Sequence, residues 1–480
     1  MTRLPIALGS MLLLSACSAP CPAPTSPPPC PPCNCSQAPA AQSVAKPATT
    51  DPPLVVAVND PPESEPSSAD TTVVVAPQAD WSQFQGDGSR AGRSSAPAIL
   101  RPSIRWKAQV GIQGYLNAPI ISGATVFVPS SGNVHNASDP RDGVYAIELG
   151  TGRRQWHAHF DNDANGLALA GQRLIATSDD GHVYGLDATR GTVVWKRKGK
   201  GKMYSYPAII DDIVVVGDAQ GYVRAYAWAD GTERWSIQMN GAIRGGLSTD
   251  GTYVYVASQG GEVAAFRKNG QARWRKTVSR PAFSGGQSVP IEGYAPPIVS
   301  GNDLIVPFAR DTTYDDPAFI ALDKGTGRVR WRAQDNSKAN WGNLRSTPAL
   351  IDGLLVYAEP YSGDVAAVEA ATGRVKYRRE VGPCHFPQYA SAASAGHLVY
   401  VPRFDGTLYA VQARTGQVAW QMYLGDATSA GATTPSRRAR RGCSWDVSSG
   451  HPLYAPIAIA GDGTVVVGSG EGTVFAIGSM

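Results

Sequence analysis

From residue 81 onward, short apolar runs alternate with turn residues at a repeating interval. Residues 206–228, YPAIIDDIVVVGDAQGYVRAYAW, show the unit. PAIID, IVVVGDA and YVRAYAW alternate apolar and polar positions and are rich in β-branched and aromatic residues, the signature of strands. An Asp pair and a Gly separate them, where the backbone must reverse. A fourth run, ERWSIQM, follows a further Gly turn and carries a Trp. The pattern predicts four antiparallel strands per unit. A lone four-stranded sheet cannot cover its own faces, so units of this kind must stack.

The turn and the Trp recur as a phrase. ALDKGTGRVRW ends at Trp331, AIELGTGRRQW at Trp156 and GLDATRGTVVW at Trp195. AYAWADGTERW ends at Trp235, AAFRKNGQARW at Trp274, AVEAATGRVKY at Tyr377 and AVQARTGQVAW at Trp420. Trp106, in SIRWKAQVG, fits the same slot, so there are eight slots, spaced 50, 39, 40, 39, 57, 46 and 43 residues apart. So many copies of one phrase indicate a structural unit, not a reaction centre, and the intervals suit a four-stranded blade with variable loops. The last unit stops after the strand that ends the chain, and SIRWKAQV near residue 106 supplies the outer strand it lacks. The expected fold is therefore all-β: an eight-bladed β-propeller of four-stranded antiparallel blades over residues 81–480. Pairing of its N- and C-terminal strands closes the ring and leaves no long exposed edge. Each Trp is expected to be largely buried between blades.

The first 80 residues read differently. Arg3 precedes LPIALGSMLLL, an apolar run too short to span a bilayer as a mature helix. It leads into LSAC at residues 14–17, which looks like the lipobox of bacterial lipoproteins. That resemblance implies cleavage after residue 16 and a diacylglycerol on Cys17; an ordinary signal peptide containing Cys17 is the alternative. By resemblance to Gram-negative lipoproteins, Ser18 after the lipidated residue favours the outer membrane, the protein facing the periplasm. Residues 17–80, beginning CSAPCPAPTSPPPCPPCNC after the signal, are rich in Pro, Ala, Ser and Thr and cannot bury enough apolar surface to offset ordering. They are expected to form a stiff tether. Cys21, Cys30, Cys33 and Cys35 lie within it with no His or carboxylate near them, so disulfides are favoured over a metal site.

The 52 Gly suit a turn-rich strand protein, and a formal net charge of +4 is too small to imply nucleic acid as a partner. The repeated phrase resembles the tryptophan-docking motif of propellers related to pyrroloquinoline quinone (PQQ) enzymes. Two branches of that resemblance differ in function. One is the quinoprotein dehydrogenases. The other is the BamB family, lipoproteins of the outer-membrane β-barrel assembly machinery with a propeller of similar size and no enzymatic role. The lead-in WSQFQGDGSRAGRS, from Trp81, is similar to that of other PQQ-like propellers and differs from typical BamB.

Residues entering the innermost strand of each blade should line one mouth of the central channel. They include Tyr115, Asn117, Tyr204, Tyr206, Arg244, Tyr294, Asn343, Arg345, Tyr389 and Tyr454. Aromatic, amide and guanidinium groups together suit an anionic or polar ligand, or a docked polypeptide; an ordinary polar, water-filled channel is the bland alternative. Three long loops, residues 280–295, 333–346 and 425–455, stand out. The last carries a basic run, Arg437, Arg438, Arg440 and Arg441, suited to phosphate, anionic headgroups or an acidic partner. Cys384 and Cys443 fall in equivalent loops of successive blades and are expected to pair as a disulfide in an oxidising compartment.

The dehydrogenase branch would require PQQ, Ca²⁺ and a carboxylate base. Asp311, Trp341, Asn343, Arg345, Trp445 and Asp446 are the candidates, and the adjacent Cys-Cys pair common in alcohol-oxidising members is absent from the sequence. The preferred expectation is a lipid-anchored, non-catalytic scaffold with no cofactor. It would bind envelope proteins, the β-barrel assembly machinery among them. Recognition of a small molecule or cell-wall polymer in the funnel is a further alternative.

Overall fold

The computed structural model describes residues 81–280, 289–290, 292–308, 319–333, 345–359, 362–382, 389–425 and 452–480. Among them the regular elements are strands, and these form eight four-stranded antiparallel blades. Blade 2 is typical, with Ala164–Ala170 innermost, then Arg173–Ser178, His182–Asp187 and Val193–Lys198 at the rim. The inner strands of blades 1 and 3–8 are Ile120–Ser122, Ala208–Ile210, Leu247–Thr249, Ile298–Ser300, Ala349–Ile351, Ala393–Ala395 and Ala458–Ile459. The ring closes as the two ends of the repeat predicted: Pro102–Gln109 pairs antiparallel with Thr473–Ser479 and becomes the outer strand of blade 8.

Alternation puts both faces of each middle strand into the seams between blades. In the seam between blades 3 and 4, Val215, Val223 and Ala225 pack with Leu247, Val256 and Phe266, all fully buried. The repeated phrase explains how the seams are locked. In five seams the Trp of one blade lies on the turn glycine of the next, and its indole N–H donates to a carbonyl of that same turn. Trp331 lies on Gly373, but its N–H has no hydrogen-bond partner among the described residues, and Trp420 donates to the Ile99 carbonyl ahead of the outer strand of blade 8. Trp195 Nε1 bonds the Trp228 carbonyl at 3.0 Å, Trp274 Nε1 that of Lys324 at 2.8 Å, and Trp106 Nε1 that of Leu149 at 2.6 Å. Tyr377 fills the slot with its hydroxyl, bonding the Ala413 carbonyl at 2.9 Å. The turn must be glycine for two reasons. At Gly231 the backbone is left-handed, φ +71°, and a Cβ there would stand 2.6 Å from the ring of Trp195. The phrase is thus one half of a joint whose other half is the same phrase one blade further on.

The joints are unequal. Trp106, Trp195 and Trp274 are buried, whereas Trp156, Trp235, Trp331 and Trp420 are only partly covered, less than the sequence led us to expect. The outer strand sits at the rim, where blades diverge, so coverage depends on how far the next turn reaches over the ring.

Candidate functional site

The lead-in segment settles what the centre of the ring is. Residues 81–94 run around the inside of the channel and meet the inner strand of seven blades. Backbone N–H groups of Ile121, Leu169, Thr249, Val299, Leu350 and Ser394 donate to the carbonyls of Trp81, Ser82, Gly88, Ser89, Ala91 and Gly92, at 2.7–2.9 Å. In blade 3 the equivalent N–H, of Ile209, reaches the side-chain oxygen of Gln83 at 3.4 Å. Inner strands have no neighbour on the axis side, so these N–H groups would otherwise lack a protein partner. Arg93–Ser94 then adds a short parallel strand to blade 7.

Trp81, Phe84 and Arg90 are buried inside this winding. Arg90 is the pin. Its Nε donates to the Leu247 carbonyl at 2.8 Å, one terminal nitrogen to the Phe84 carbonyl at 2.9 Å, and the other to the Pro207 carbonyl at 2.5 Å. Burial pulls its pKa down to about 10, with the Asp87 charge opposing, so it is a cation at neutral pH satisfied by main-chain oxygens. Gln85 plays a smaller version of this role, donating to the carbonyls of Thr347 and Ala392. The chain's own residues therefore occupy the axis, and the mouth above them is a funnel with a floor.

The floor is aromatic. Phe84 stacks on Tyr206 with centroids 3.7 Å apart and planes 3° from parallel, and Leu116 and Ala118 complete the patch. Tyr206, expected to line the funnel, is buried, because its ring packs on the lead-in and its hydroxyl donates to the Tyr115 carbonyl. Asn117 is likewise structural, with its amide donating to the Ala164 carbonyl.

Above the floor the predicted wall assembles. Tyr204, Tyr294, Arg345, Tyr389 and Tyr454 each stand four residues before the first residue of their inner strand, and Arg244 takes the same register in blade 4. Inner strands all run the same way, so equal register converges on one mouth. Tyr115 of blade 1 joins them, 5.4 Å from Tyr389, which in turn lies 6.5 Å from Tyr454. The two arginines lie over ring faces: Arg244 is 4.6 Å from Tyr204, and Arg345 is 4.6 Å from Tyr294 and 5.1 Å from Tyr389. Burial raises the phenols of Tyr115, Tyr294 and Tyr454, the last to about 12, so they stay neutral. The wall offers neutral hydroxyls, aromatic faces and two guanidinium groups, with Glu292 beside Tyr294 the carboxylate within reach.

Several residues singled out from sequence lie outside the described residues: Cys17, Asp311, Trp341, Asn343, Cys384, Arg437, Arg438, Arg440, Arg441, Cys443, Trp445 and Asp446. Of the set proposed for PQQ chemistry, Arg345 alone is placed. Among the described residues no group of three or more His, Cys, Asp or Glu is arranged to hold a metal ion.

Sequence reasoning missed an acidic patch where blades 1 and 2 meet. Asp163 is buried, pairs with His135 at 2.5 Å and accepts the Asn136 N–H. Asp142 is fully buried; one oxygen accepts the Asp139 N–H and the other has no hydrogen-bond partner. Burial first, then the charges of Asp163 and Asp139, raise its pKa to about 7, with His159 opposing. The sign follows. A carboxyl whose folded pKa exceeds its unfolded value of about 3.9 disfavours the fold progressively as pH rises through that window. Asp142→Asn is therefore expected to match the parent at pH 4, to become relatively more stable up to pH 7, and to keep a constant advantage above it. Thermal unfolding across that range tests this; parallel curves would show that Asp142 does not titrate there.

The sequence profile of the family described as outer membrane protein assembly factor BamB matches residues 140–282 and 219–386. The outer membrane protein assembly factor BamB of Shewanella oneidensis is 24% identical over 264 residues, which cover 50% of this chain and 63% of that protein. Among solved structures, BamB from Moraxella catarrhalis matches with a TM-score of 0.54 at 14% identity, over 78% of this chain and 97% of that one. The quinohemoprotein alcohol dehydrogenase of Comamonas testosteroni matches with a TM-score of 0.62, also at 14% identity, over 84% of this chain and 81% of that one. At such identities both structures speak for the propeller fold alone. The profile spans more than half of the 480 residues, and on that match the chain belongs to the BamB family of outer membrane protein assembly factors.

Proposed function

We propose that this protein is a non-catalytic scaffold in outer-membrane protein assembly, held at the outer membrane by lipid on Cys17 and docking a polypeptide at its funnel. The observation that carries the reading is the funnel itself, within a chain of the BamB family. One register position in six successive blades supplies Tyr or Arg to a mouth whose axis is filled by residues 81–94. A closed floor favours a segment that enters and leaves from one side. Aromatic faces with a few guanidinium donors are the groups that anchor protein interfaces. Such a surface suits envelope proteins, components of the β-barrel assembly machinery among them.

Detergent-solubilised envelopes provide the test. Arg244→Ala with Arg345→Ala is expected to reduce co-purifying assembly components by at least about tenfold. The thermal midpoint should change little, because both side chains are partly exposed at the mouth. Undiminished capture would remove the funnel from the interface. Dye reduction dependent on both PQQ and Ca²⁺ would overturn the non-catalytic reading.

A further inference from the structure

The positive charge of this protein is concentrated at the rim. The eight outer strands are Pro102–Gln109, Arg154–His159, Val193–Lys198, Glu233–Gln238, Ala272–Thr277, Val329–Arg332, Val375–Glu380 and Val418–Tyr423. They hold fifteen of the chain's 43 Lys and Arg in about a tenth of its length, and their acidic residues are Glu233 and Glu380. A formal net charge of +4 for the whole chain conceals this segregation.

The density peaks on three consecutive blades, 4 to 6. Some of its cations are neutralised in place: Arg275 by Glu262, Arg330 by Asp323 and Arg374 by Glu369. Six others are not. Arg273, Lys276, Arg328, Arg332, Lys376 and Arg379 are all exposed, and no carboxylate among the described residues lies within ion-pair distance of them. Arg273, Arg332 and Arg379 are steadied by the carbonyls of Gly325, Ser279 and Thr415, which leave the charge intact.

We propose that this arc docks on an anionic lipid surface. The choice of lipid over a protein partner rests on what the arc lacks. A protein interface needs an apolar or aromatic centre and is poor in Lys; here Val329 is the large hydrophobic side chain exposed on these strands, Trp331 and Val375 being half-buried. Laterally spread cations without such a centre match many headgroups in a plane. Charge on edge strands also blocks edge-to-edge pairing, and the experiment separates that role from docking. The inference stands apart from the funnel and from lipidation of Cys17.

The test uses the propeller, residues 81–480, whose two ends close its own ring. Phosphatidylcholine vesicles with about 30% phosphatidylglycerol should sediment it at low ionic strength and release it as salt shortens the Debye length. Pure phosphatidylcholine should not sediment it. Each cation near such a surface contributes about fivefold in binding. The variant K276Q/R328Q/K376Q/R379Q is therefore expected to lose at least about thirtyfold, with an unchanged thermal midpoint. No sedimentation with the anionic vesicles overturns the proposal, as does a variant that binds them equally well. A variant that self-associates while vesicle binding persists assigns the charges to edge protection alone. Capture of soluble polyglutamate without vesicle binding would assign the arc to an acidic protein.

Discussion

Arg90→Met should destabilise the propeller by about 3–5 kcal/mol, because three buried carbonyls lose their charged donor at about 1–3 kcal/mol each. The side chains are similar in volume, so the cost is not a cavity. Methionine leaves the carbonyls of Leu247, Phe84 and Pro207 without the donor that now satisfies them, at a point sealed from water. The damage should spread. With the pin gone, residues 81–94 keep their backbone bonds and the Gln83 and Gln85 contacts, but the Phe84–Tyr206 floor loses its support. Hydrogen exchange should accelerate at the amides of Ile121, Leu169, Thr249, Val299, Leu350 and Ser394 together, before the outer strands respond. Protection at those six amides equal to that of the parent would show that the lead-in is held by its backbone alone.

Trp195→Ala should cost a similar amount, about 3–5 kcal/mol, by opening a cavity in the seam between blades 2 and 3. Trp195 is buried, spans Tyr226 and Gly231, and donates its indole N–H to the Trp228 carbonyl. Trp235→Ala, at a joint that is partly open, should cost less, so the two variants together grade the effect by burial. Gly231→Ala attacks the same joint from the other side. Its φ of +71° strains any side chain, and the added Cβ would meet the Trp195 ring. Urea unfolding reads all three. Loss of partner capture in Trp195→Ala at unchanged stability would make the indole a ligand contact and contradict the joint.

The candidate site was legible in part. Tyr204, Arg244, Tyr294, Arg345, Tyr389 and Tyr454 could be found because each precedes an inner strand by a fixed interval, and strand starts are local features. Tyr206 could not be told from Tyr204 by sequence, since two residues apart on one entering loop they differ only in what lies beneath. Asp142 gave no signal either: its pKa is raised first by burial and then by the charge of Asp163, 21 residues away at the start of the next blade, and neither can be read from the local sequence.

The sequence by itself determined the blades, their number and the closure of the ring. Strand alternation, turn glycines and the spacing of tryptophans are short-range properties, and a strand missing at one end must match a spare one at the other. Only the tertiary structure decided that the Trp of one blade and the Gly of the next make a single joint. The same holds for the course of residues 81–94. That segment has no strand alternation, and it is fixed by main-chain hydrogen bonds to strands as distant as Ser394, made by carbonyls that every residue carries. No side-chain pattern encodes such bonds, so the filled axis, and with it the floor of the funnel, became visible only once the ring had closed around it.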